Sequence, residues 1–586
     1  MKKRAPSKKA PLVEIASLPS HLNLIDGALI AMLLTVALFM IARSGFRRGM
    51  DLMPWPDGLE YAAAAVNLDR GLGPVLHFGG YSYPSRYTEG YPLMLAAAYP
   101  ILGRHVELLC LATTVLGLVA IISLYVLVFR MFGRLSALVS CALLALSPVF
   151  ITYATLVLSD VPTMTVTILA GLAFFHASEA EDAAASSSWM VYTVLCGLLV
   201  GFTVMIRPTN ATMLLGIGAA IIFLRPRRGF ISWLPAAVAF AIFPIWQAWT
   251  NHRYLGGLTN SGYAFWVPEV YGSFGATFSA RFLFGPTMPG NPYGNVLSYA
   301  LTLSGLDGML GDPGDHRYLM YPFAAAAFAA LGIGFALKSQ ALVIRRVMWF
   351  GLTFLAALFA LYLCYFFTEI AFLLPATFIL FAAAGYGVVA ANRMMIEART
   401  RSGKSPRDNV IIVGAIALDL MLGFSLLAET ASRVGAPPSQ SKMVPTLLAI
   451  RSQLPPDAIV VSNISLQFLE LYAAKPKTEL VGLNAFDPGG RFTDYHLARL
   501  YAKKSAGWTG PVPPVLFTGQ RIDDSEEKTL GDSIRSGRTA YLLVSAPERQ
   551  DYADLLKDEL AQMRGSFNLE SIAQSDLIEL FRLTPR

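Results

Sequence analysis

Residues 106–129 of the chain read VELLCLATTVLGLVAIISLYVLVF, and Glu107 is the only charged residue among them. About 20 apolar residues in a row form a helix long enough to cross the hydrocarbon core of a bilayer. The run therefore predicts a membrane-spanning helix, and similar runs recur on both sides of it.

These repeated apolar runs predict a protein with about eleven membrane spans. The spans are expected near 24–42, 106–129, 135–152, 161–177, 189–206, 209–224, 230–249, 319–337, 347–367, 370–391 and 410–428. The composition agrees, because 15% of the 586 residues are charged and 55% are hydrophobic, whereas soluble domains carry roughly 25% charged residues. The predicted fold class is a polytopic α-helical membrane protein.

Basic residues are concentrated in the N-terminal tail, 1–23, and in alternate short loops, which carry RMFGR, RPRR, LKSQALVIRR and NRMMIEARTRSGKSPR. Short loops rich in Lys and Arg stay on the cytoplasmic side. We therefore expect a multi-pass protein of the inner or plasma membrane, with a retained first span, a cytoplasmic N-terminus and an extracytoplasmic C-terminus. This distribution of the net charge of +7 argues against nucleic acid as a partner.

The predicted topology places three long segments outside, near 43–105, 250–318 and 430–586. In the last segment, runs such as DAIVVSN and TAYLLVS are typical of strands, and YHLARLYAKK has helical periodicity. We expect a cytoplasmic basic tail over 1–23, a membrane domain over 24–429 and an extracytoplasmic α/β domain over 430–586. No GxGxxG follows a strand, so no nucleotide site is predicted.

Two acids follow the first span in WPDGLEY, residues 55–61. Asp57 stands where a helix is expected to begin, and Glu60 has the spacing of a capping box. Helix capping therefore explains both carboxylates, and a catalytic role is the alternative. Tyr61 lies one helical turn after Asp57 and shares a face with it.

Two further charged residues stand at the outer ends of predicted spans. Arg86 lies in a Tyr- and Pro-rich stretch that is typical of a membrane interface, but an arginine there could also hold a phosphate. Asp160 follows the third span, where an unpaired acid is costly. A function or a helix cap would explain its presence.

Several motifs, taken in order, resemble those of the GT-C glycosyltransferases. They are D-x-x-x-Y at 57–61, a Pro/Arg stretch ending in GYPLM, SDVP at 159–162, MIRPTN at 205–210, NHRYLGGLTNSGYAFW at 251–266 and FLLPATFILFAAAGYG at 372–387. Two branches look similar, the protein O-mannosyltransferases and the lipid A aminoarabinose transferases. The chain departs from the family in having Glu369 and Ala371 before LLP, where a basic residue is frequent, and Gly58 where a second acid is frequent.

The resemblance implies a glycosyltransferase, hexosyl or pentosyl, that takes sugar from a polyprenyl-phosphate donor at the outer face and transfers it with inversion. The acceptor would be a lipid, a glycan or a protein. Asp57 is then the expected base, with Asp160 orienting the acceptor and Glu60 as a further catalytic candidate. Candidates for contact with the donor are Arg86, Tyr61, Arg207, Arg253 and Tyr263. For Arg207, a snorkelling interfacial arginine is the alternative.

No cofactor is required by the sequence, although Asp57 and Asp160 together could hold a divalent metal ion. The four cysteines all lie in apolar runs without ligand spacing, so neither zinc nor disulfides are predicted. Two other functions remain open. A transporter or flippase would need polar residues at mid-membrane depth and repeated halves, and a scaffold that displays the tail would need no acids in its loops.

Overall fold

The chain folds into a bundle of membrane helices that carries loops and a mixed sheet at one end. The computed structural model describes residues 21–586 except 184, 225–227, 289–290, 305–322, 403–413, 415–442, 484–494, 517–523, 546–549 and 576–577. The α-helices described before residue 403 are α1 (Leu24–Ser44), α2 (Arg47–Met50), α3 (Asp57–Asp69), α4 (Gly90–Ala98), α5 (Leu109–Phe132), α6 (Arg134–Ala145), α7 (Pro148–Ala154), α8 (Asp160–Asp182), α9 (Ser186–Ile206), α10 (Met213–Leu224), α11 (Leu234–Leu255), α12 (Gly262–Trp266), α13 (Pro268–Tyr271), α14 (Phe274–Thr277), α15 (Gly294–Ser304), α16 (Phe323–Leu337), α17 (Leu342–Leu363) and α18 (Leu374–Arg401).

Seven of the described helices are long and apolar enough to cross a membrane, and a bent pair makes an eighth. Two shorter apolar helices, Pro208–Leu224 and Ala324–Leu337, lie where further spans are predicted. The predicted span near 410–428 lies outside the described residues. The prediction of a polytopic helical membrane protein is confirmed.

The predicted span at 135–152 is wrong in one respect, because it is two helices. The axes of α6 and α7 differ by 63°. Pro148 is the first residue of α7 and Ser147 caps it, its hydroxyl accepting from the backbone N–H of Phe150. Proline lacks the N–H that would continue the ladder of α6, so the chain turns there.

Helix α18 is the centre of the bundle, because 94% of its most apolar 18-residue stretch is buried. It packs closely on α16. A Cβ added at Gly332 would lie 1.9 Å from the carbonyl oxygen of Ala383, and one at Gly387 would lie 1.9 Å from that of Phe328. Small residues at such crossings let membrane helices approach each other backbone to backbone.

One end of the bundle, which we call the loop face, carries the segments between the helices that could hold a site. A hairpin of β1 (Val75–Phe78) and β2 (Tyr81–Pro84) lies between α3 and α4, with Val75 opposite Pro84. The short helices α12 to α15 follow α11, in the part of the chain near 250–318 that we call the second loop segment. The starts of α8 and α18 and the end of α9 reach the same face.

The tail contributes a six-stranded sheet in the order β5-β4-β3-β6-β8-β7. Its described elements are α19 (Val444–Gln453), β3 (Ile459–Ser462), α20 (Leu466–Tyr472), β4 (Glu479–Leu483), α21 (Tyr495–Ser505), β5 (Val515–Leu516), α22 (Asp524–Arg535), β6 (Ala540–Ser545), α23 (Gln550–Ser566), β7 (Phe567–Gln574) and β8 (Ile578–Pro585). Strands β5, β4, β3 and β6 are parallel, and β8 and β7 are antiparallel. The predicted α/β character of the tail is confirmed, although the hairpin β7–β8 was not predicted.

The sheet has two apolar faces, as the alternation along β3 shows. Val460 belongs to the large apolar core that continues into the membrane helices, whereas Ile459 and Val461 belong to a separate core within the tail. Helix α20 packs on α3 and β1, and the Phe468 ring lies 4.9 Å from that of Trp55. The tail is thus packed onto the loop face.

Candidate active site

Asp57 is the first residue of α3, but its carboxylate does not cap the helix. The N-cap is Pro56, which makes no side-chain cap bond. Oδ1 of Asp57 instead lies 2.5 Å from Nη2 of Arg86, and the Asp57 side chain is 41% exposed. The capping interpretation of Asp57 is therefore wrong, because Arg86 takes the carboxylate that would have turned back to the backbone.

Glu60 does not form the capping box either, since its fully buried carboxylate contacts the side chains of Arg86 and His496. Oε1 lies 3.1 Å from Nε of Arg86 and 3.0 Å from Nε2 of His496, and Oε2 accepts from the backbone N–H of Arg86 at 3.1 Å. Burial alone would raise the pKa of Glu60, but Arg86 and His496 outweigh it and hold that pKa below its usual value. Glu60 is thus a buried anion that fixes Arg86.

Arg86 is the hub of this cluster. Its Nη2 donates to the Tyr87 hydroxyl at 2.6 Å, and its guanidinium lies 4.7 Å from the centre of the Tyr87 ring and 5.5 Å from that of Tyr495. Burial lowers the pKa of Arg86, but the neighbouring anions, Glu60 first, raise it well above its usual value. The guanidinium is a permanent positive charge at this site.

Aromatic rings line the cluster on one side. Tyr61 stacks on Tyr87 with centroids 4.2 Å apart, and Tyr263 meets Tyr87 edge-on at 5.5 Å. Burial raises the pKa of Tyr87 and of Tyr263 well above the usual phenol value. The phenols therefore stay neutral and act as hydrogen-bond groups, not as bases.

A second ion pair joins the ends of two membrane helices. Asp160 is the first residue of α8, its N-cap Ser159 makes no side-chain cap bond, and Arg207 directly follows α9. Oδ1 of Asp160 lies 2.7 Å from Nη1 of Arg207, and both side chains are mostly buried. Neither the cap predicted as the alternative for Asp160 nor the snorkelling predicted as the alternative for Arg207 is observed.

Arg207 is held on two further sides. Its Nε donates to the Ser159 hydroxyl at 3.0 Å, and its guanidinium lies 5.1 Å from the centre of the Phe372 ring. Phe372 directly precedes the LLP motif. In this region, where a basic residue is frequent in the family, the chain places an aromatic ring against Arg207. Glu369 nearby accepts from the Tyr153 hydroxyl at 2.5 Å.

Tyr61 connects the two ion pairs. Its hydroxyl donates to Ser159 Oγ at 3.1 Å, which also accepts from Arg207, while its ring stacks on Tyr87 beside Arg86. The two pairs therefore form one site at the loop face.

A cavity of about 280 Å³ borders this site. Arg86, Tyr87, Glu89 and Tyr263 line it from the loops, and Pro208 and Gln247 line it from the membrane helices. The cavity therefore lies between the loop segments and the ends of the spans, next to one of the two arginines.

The structure brings together Asp57, Glu60, Tyr61, Arg86, Asp160, Arg207 and Tyr263. Arg253 lies near the end of α11, with its guanidinium 5.7 Å from the Trp249 ring centre and 5.4 Å from that of Tyr254, and it does not line the cavity. Three further residues of the cluster, His496, Tyr495 and Ser159, are not predicted by any motif in the sequence. The helical run YHLARLYAKK predicts a helix, but no spacing marks its histidine.

A metal does not fit the two aspartates as they stand. Within the described ranges no group of three or more His, Cys, Asp or Glu side chains could hold an ion. Asp57 and Asp160 each already face an arginine, whose charge opposes a cation at the same oxygens.

Comparison with known proteins places this site in context. No curated protein matches the chain in sequence, but residues 90–249 match the family described as dolichyl-phosphate-mannose-protein mannosyltransferase. The fold is similar to that of ArnT from Cupriavidus metallidurans bound to undecaprenyl phosphate, with a TM-score of 0.61 at 13% identity, over 95% of this chain and 98% of that one. It is also similar to the oligosaccharyltransferase AglB from Archaeoglobus fulgidus in complex with an inhibitory peptide and a dolichol-phosphate, with a TM-score of 0.50 at 12% identity, over 96% and 75%.

The family match begins at Gly90, the first residue of α4, and ends within α11. It therefore includes Asp160 and Arg207, while Asp57 and Arg86 precede it. The predicted resemblance to the GT-C glycosyltransferases is confirmed, and the chain has the fold of these polytopic membrane enzymes.

Proposed function

We propose that the chain transfers a sugar from a polyprenyl-phosphate donor to an acceptor, with inversion at the anomeric carbon. The observation that carries the proposal is the pair of carboxylate–arginine contacts, Asp57–Arg86 and Asp160–Arg207, joined through Tyr61 at the membrane end of the loops. A lipid-linked phosphate has its head group at this depth, because its prenyl chain stays in the hydrocarbon.

The two arginines are suited to the leaving group. Transfer breaks the bond between the anomeric carbon and a phosphate oxygen and forms a bond to the acceptor oxygen. The phosphate gains one negative charge as it leaves, so fixed cations stabilise the transition state more than the ground state. Arg86 and Arg207 remain charged throughout and offer planar donors to phosphate oxygens.

Asp57 is the acid best placed to take the acceptor proton. Its side chain is 41% exposed, whereas the side chain of Glu60 is 0% exposed and that of Asp160 is 3% exposed. When the donor phosphate accepts hydrogen bonds from Arg86, the guanidinium is shared and no longer holds Oδ1 of Asp57. That oxygen accepts the proton of the acceptor hydroxyl as the hydroxyl attacks the anomeric carbon.

The other residues have supporting roles in this proposal. Asp160 keeps Arg207 oriented and charged, and Glu60 does the same for Arg86. Tyr61 and Tyr263 line the donor position with neutral rings. Arg253 lies apart from the cluster, so we assign it no contact with the phosphate.

The membrane orientation is part of the same proposal. The loop face, with the tail packed on it, would lie outside, and the basic N-terminus would lie in the cytoplasm. The membrane domain would extend over 24–429 and the tail domain over 430–586. Accessibility of single introduced cysteines in the tail to an impermeant reagent in intact cells tests this orientation.

Replacement of Asp57 by Asn tests the base directly. The full chain is purified in detergent and assayed with a panel of polyprenyl-phosphate hexoses and pentoses, which also identifies the class of sugar. We expect kcat/KM of Asp57→Asn to fall about 10²- to 10⁴-fold, as for other general bases, because the amide cannot accept the proton.

Asp69→Asn is the matched control, since Asp69 ends the same helix and pairs with the exposed Arg104. The control should transfer sugar at the rate of the unmodified chain. Full activity in Asp57→Asn would remove Asp57 as the base, and a chain that transfers none of the donors would contradict the proposed function.

A further inference from the structure

One helix of the tail reaches into the candidate active site. His496, in the first turn of α21, is 1% exposed and has Nε2 3.0 Å from Oε1 of Glu60. The neighbouring Tyr495 places its ring 5.5 Å from the Arg86 guanidinium. The site is therefore incomplete without residues that follow the membrane helices in the chain.

The His496 ring has a built pocket under the β1–β2 hairpin. Its centroid lies 5.0 Å from that of Trp266 and 5.9 Å from that of Phe78. Trp266 in turn donates from Nε1 to the carbonyl oxygen of Pro84 at 2.7 Å. Rings on two sides fix the direction of the imidazole, which faces the Glu60 carboxylate.

Charge balance shows what the imidazole does there. Asp57 and Glu60 both contact the single guanidinium of Arg86, and Glu60 is the fully buried one of the two. A buried carboxylate needs donors for both of its oxygens. Without His496, Oε1 of Glu60 would rely on Arg86 alone and would hold the arginine more tightly.

We infer that His496 is a positioning residue of this site, which supplies Glu60 with a second donor and so leaves Arg86 available to Asp57 and the donor phosphate. The inference rests on the function proposed above. It assigns the tail a role in catalysis, because α21 must be docked for the arginine to be shared correctly.

Other contacts hold the docked position. The Tyr83 hydroxyl donates to the carbonyl oxygen of Pro511 at 3.0 Å, Arg499 pairs with Glu269, and Nζ of Lys503 lies 4.4 Å from the centre of the Phe265 ring. These contacts join the tail to the hairpin and to the second loop segment. They dock the helix, whereas His496 acts on the site.

The test compares His496→Ala with His496→Gln in the full chain. The amide nitrogen of glutamine can take the position of Nε2 and donate to Glu60, whereas alanine cannot. We expect His496→Ala to raise the KM for the polyprenyl-phosphate sugar about 10-fold, because the phosphate then competes with Glu60 for Arg86. We expect His496→Gln to restore KM to within about threefold of the unmodified chain.

Lys504→Ala is the control, because Lys504 lies at an exposed position of the same helix with its Nζ 5.8 Å from the centre of the Tyr501 ring, and this variant should keep the donor KM of the unmodified chain. A donor KM in His496→Ala equal to that of the unmodified chain would overturn the inference. So would equal losses in the alanine and glutamine variants, which would show a structural role only. Binding of polyprenyl phosphate alone, measured on the same preparations, keeps the test valid if His496→Ala turns over too slowly.

The two proposals fail in different ways. If the unmodified chain transfers no sugar, the proposed function is wrong. If the unmodified chain transfers sugar and the alanine variant binds polyprenyl phosphate as tightly as it does, only the role of His496 is wrong.

Discussion

The Asp57–Arg86 and Asp160–Arg207 pairs have the same chemistry but different surroundings. Asp57 belongs to a helix between the first two long spans, and its side chain is 41% exposed. Asp160 begins a membrane helix, and its side chain is 3% exposed. An exposed carboxylate can exchange partners during a reaction, whereas a buried one is held by its arginine. This difference supports the proposal that the first pair takes the acceptor proton and the second pair positions the cation for the phosphate.

The surroundings also determine what each pair contributes to stability. Partly exposed ion pairs contribute little, because water and ions screen them. Removal of one partner from a buried pair is costly, because the remaining charge stays in the interior. Variants of the first pair should therefore lose sugar transfer with little change in stability, whereas variants of the second pair should lose both.

The largest effect is expected from Arg207→Met, which leaves Asp160 buried without its cation. Unfolding should become easier by about 3–5 kcal/mol, and transfer should be lost. The thermal unfolding midpoint in detergent and the transfer rate measure the two effects. Asp57→Asn should keep its midpoint, and an equal fall in both variants would remove the difference between the pairs.

The double variant Asp160→Leu with Arg207→Met sharpens this result. It removes both buried charges, so the midpoint should return toward that of the unmodified chain. Transfer should remain absent, because the cation for the phosphate is still missing. Recovery of transfer would show that Arg207 serves only the fold.

A smaller effect is expected from Arg86→Lys. One ammonium cannot reach Asp57, Glu60 and the Tyr87 hydroxyl together, as the guanidinium does. We expect kcat/KM for the donor to fall about 10- to 100-fold with little change in expression. An unchanged kcat/KM would mean that charge alone, without the planar fork, is sufficient. Arg104→Lys, at an exposed pair, is the control.

Protonation of Glu60 at low pH should weaken the contact of its carboxylate with Arg86. Its folded pKa lies below its usual value of 4.5, so ionised Glu60 stabilises the fold above pH 4.5, and this contribution is lost as the pH falls through the folded pKa. The unfolding midpoint should therefore fall with pH in this acid range more steeply in the unmodified chain than in Glu60→Gln. Glu269→Gln, an exposed control, should keep the steep dependence, and equal slopes in all three chains would contradict the assignment.

A modest effect is expected from Tyr61→Phe, which removes the hydroxyl that joins the pairs through Ser159. One hydrogen bond is worth about 1 kcal/mol, so the transfer rate should fall about fivefold. A double-mutant cycle of Tyr61→Phe with Arg86→Lys should show coupling. Strict additivity would mean that the two pairs act independently.

The smallest effect is expected from Arg253→Ala. Its guanidinium lies on Trp249 and Tyr254, away from the cluster, so kcat/KM should change less than about twofold, as at other independent surface positions. A large loss would return Arg253 to the phosphate site and would require that the second loop segment move toward Arg86.

Much of the fold follows from local features of the sequence. The long apolar runs predict the spans, and the strands DAIVVSN and TAYLLVS are central in the sheet. The break at Pro148 was missed, because apolar content continues through it and only the missing N–H ends the helix. The hairpin β7–β8 was missed because its strands carry charges at exposed positions, which weakens the alternation.

The candidate site was predicted in part, for a similar reason. Asp57, Asp160 and Arg86 stand out because charge at the end of a membrane span is costly and rare. Nothing local marks His496 or Ser159. A histidine in a polar helix and a serine before an aspartate are ordinary, and they matter only through residues far away in the chain.

Hydropathy alone thus predicts that the chain enters a membrane, where most of its spans lie and which acids stand at the ends of spans, because the free energy of transfer into lipid sums over neighbouring residues. The partners of those acids depend on contacts between distant segments. Packing makes Glu60 the buried anion, leaves Asp57 partly open to solvent and brings His496 from the tail to Glu60. Exposure and pairing are properties of the assembled fold, and they distinguish carboxylates that the sequence presents as alike.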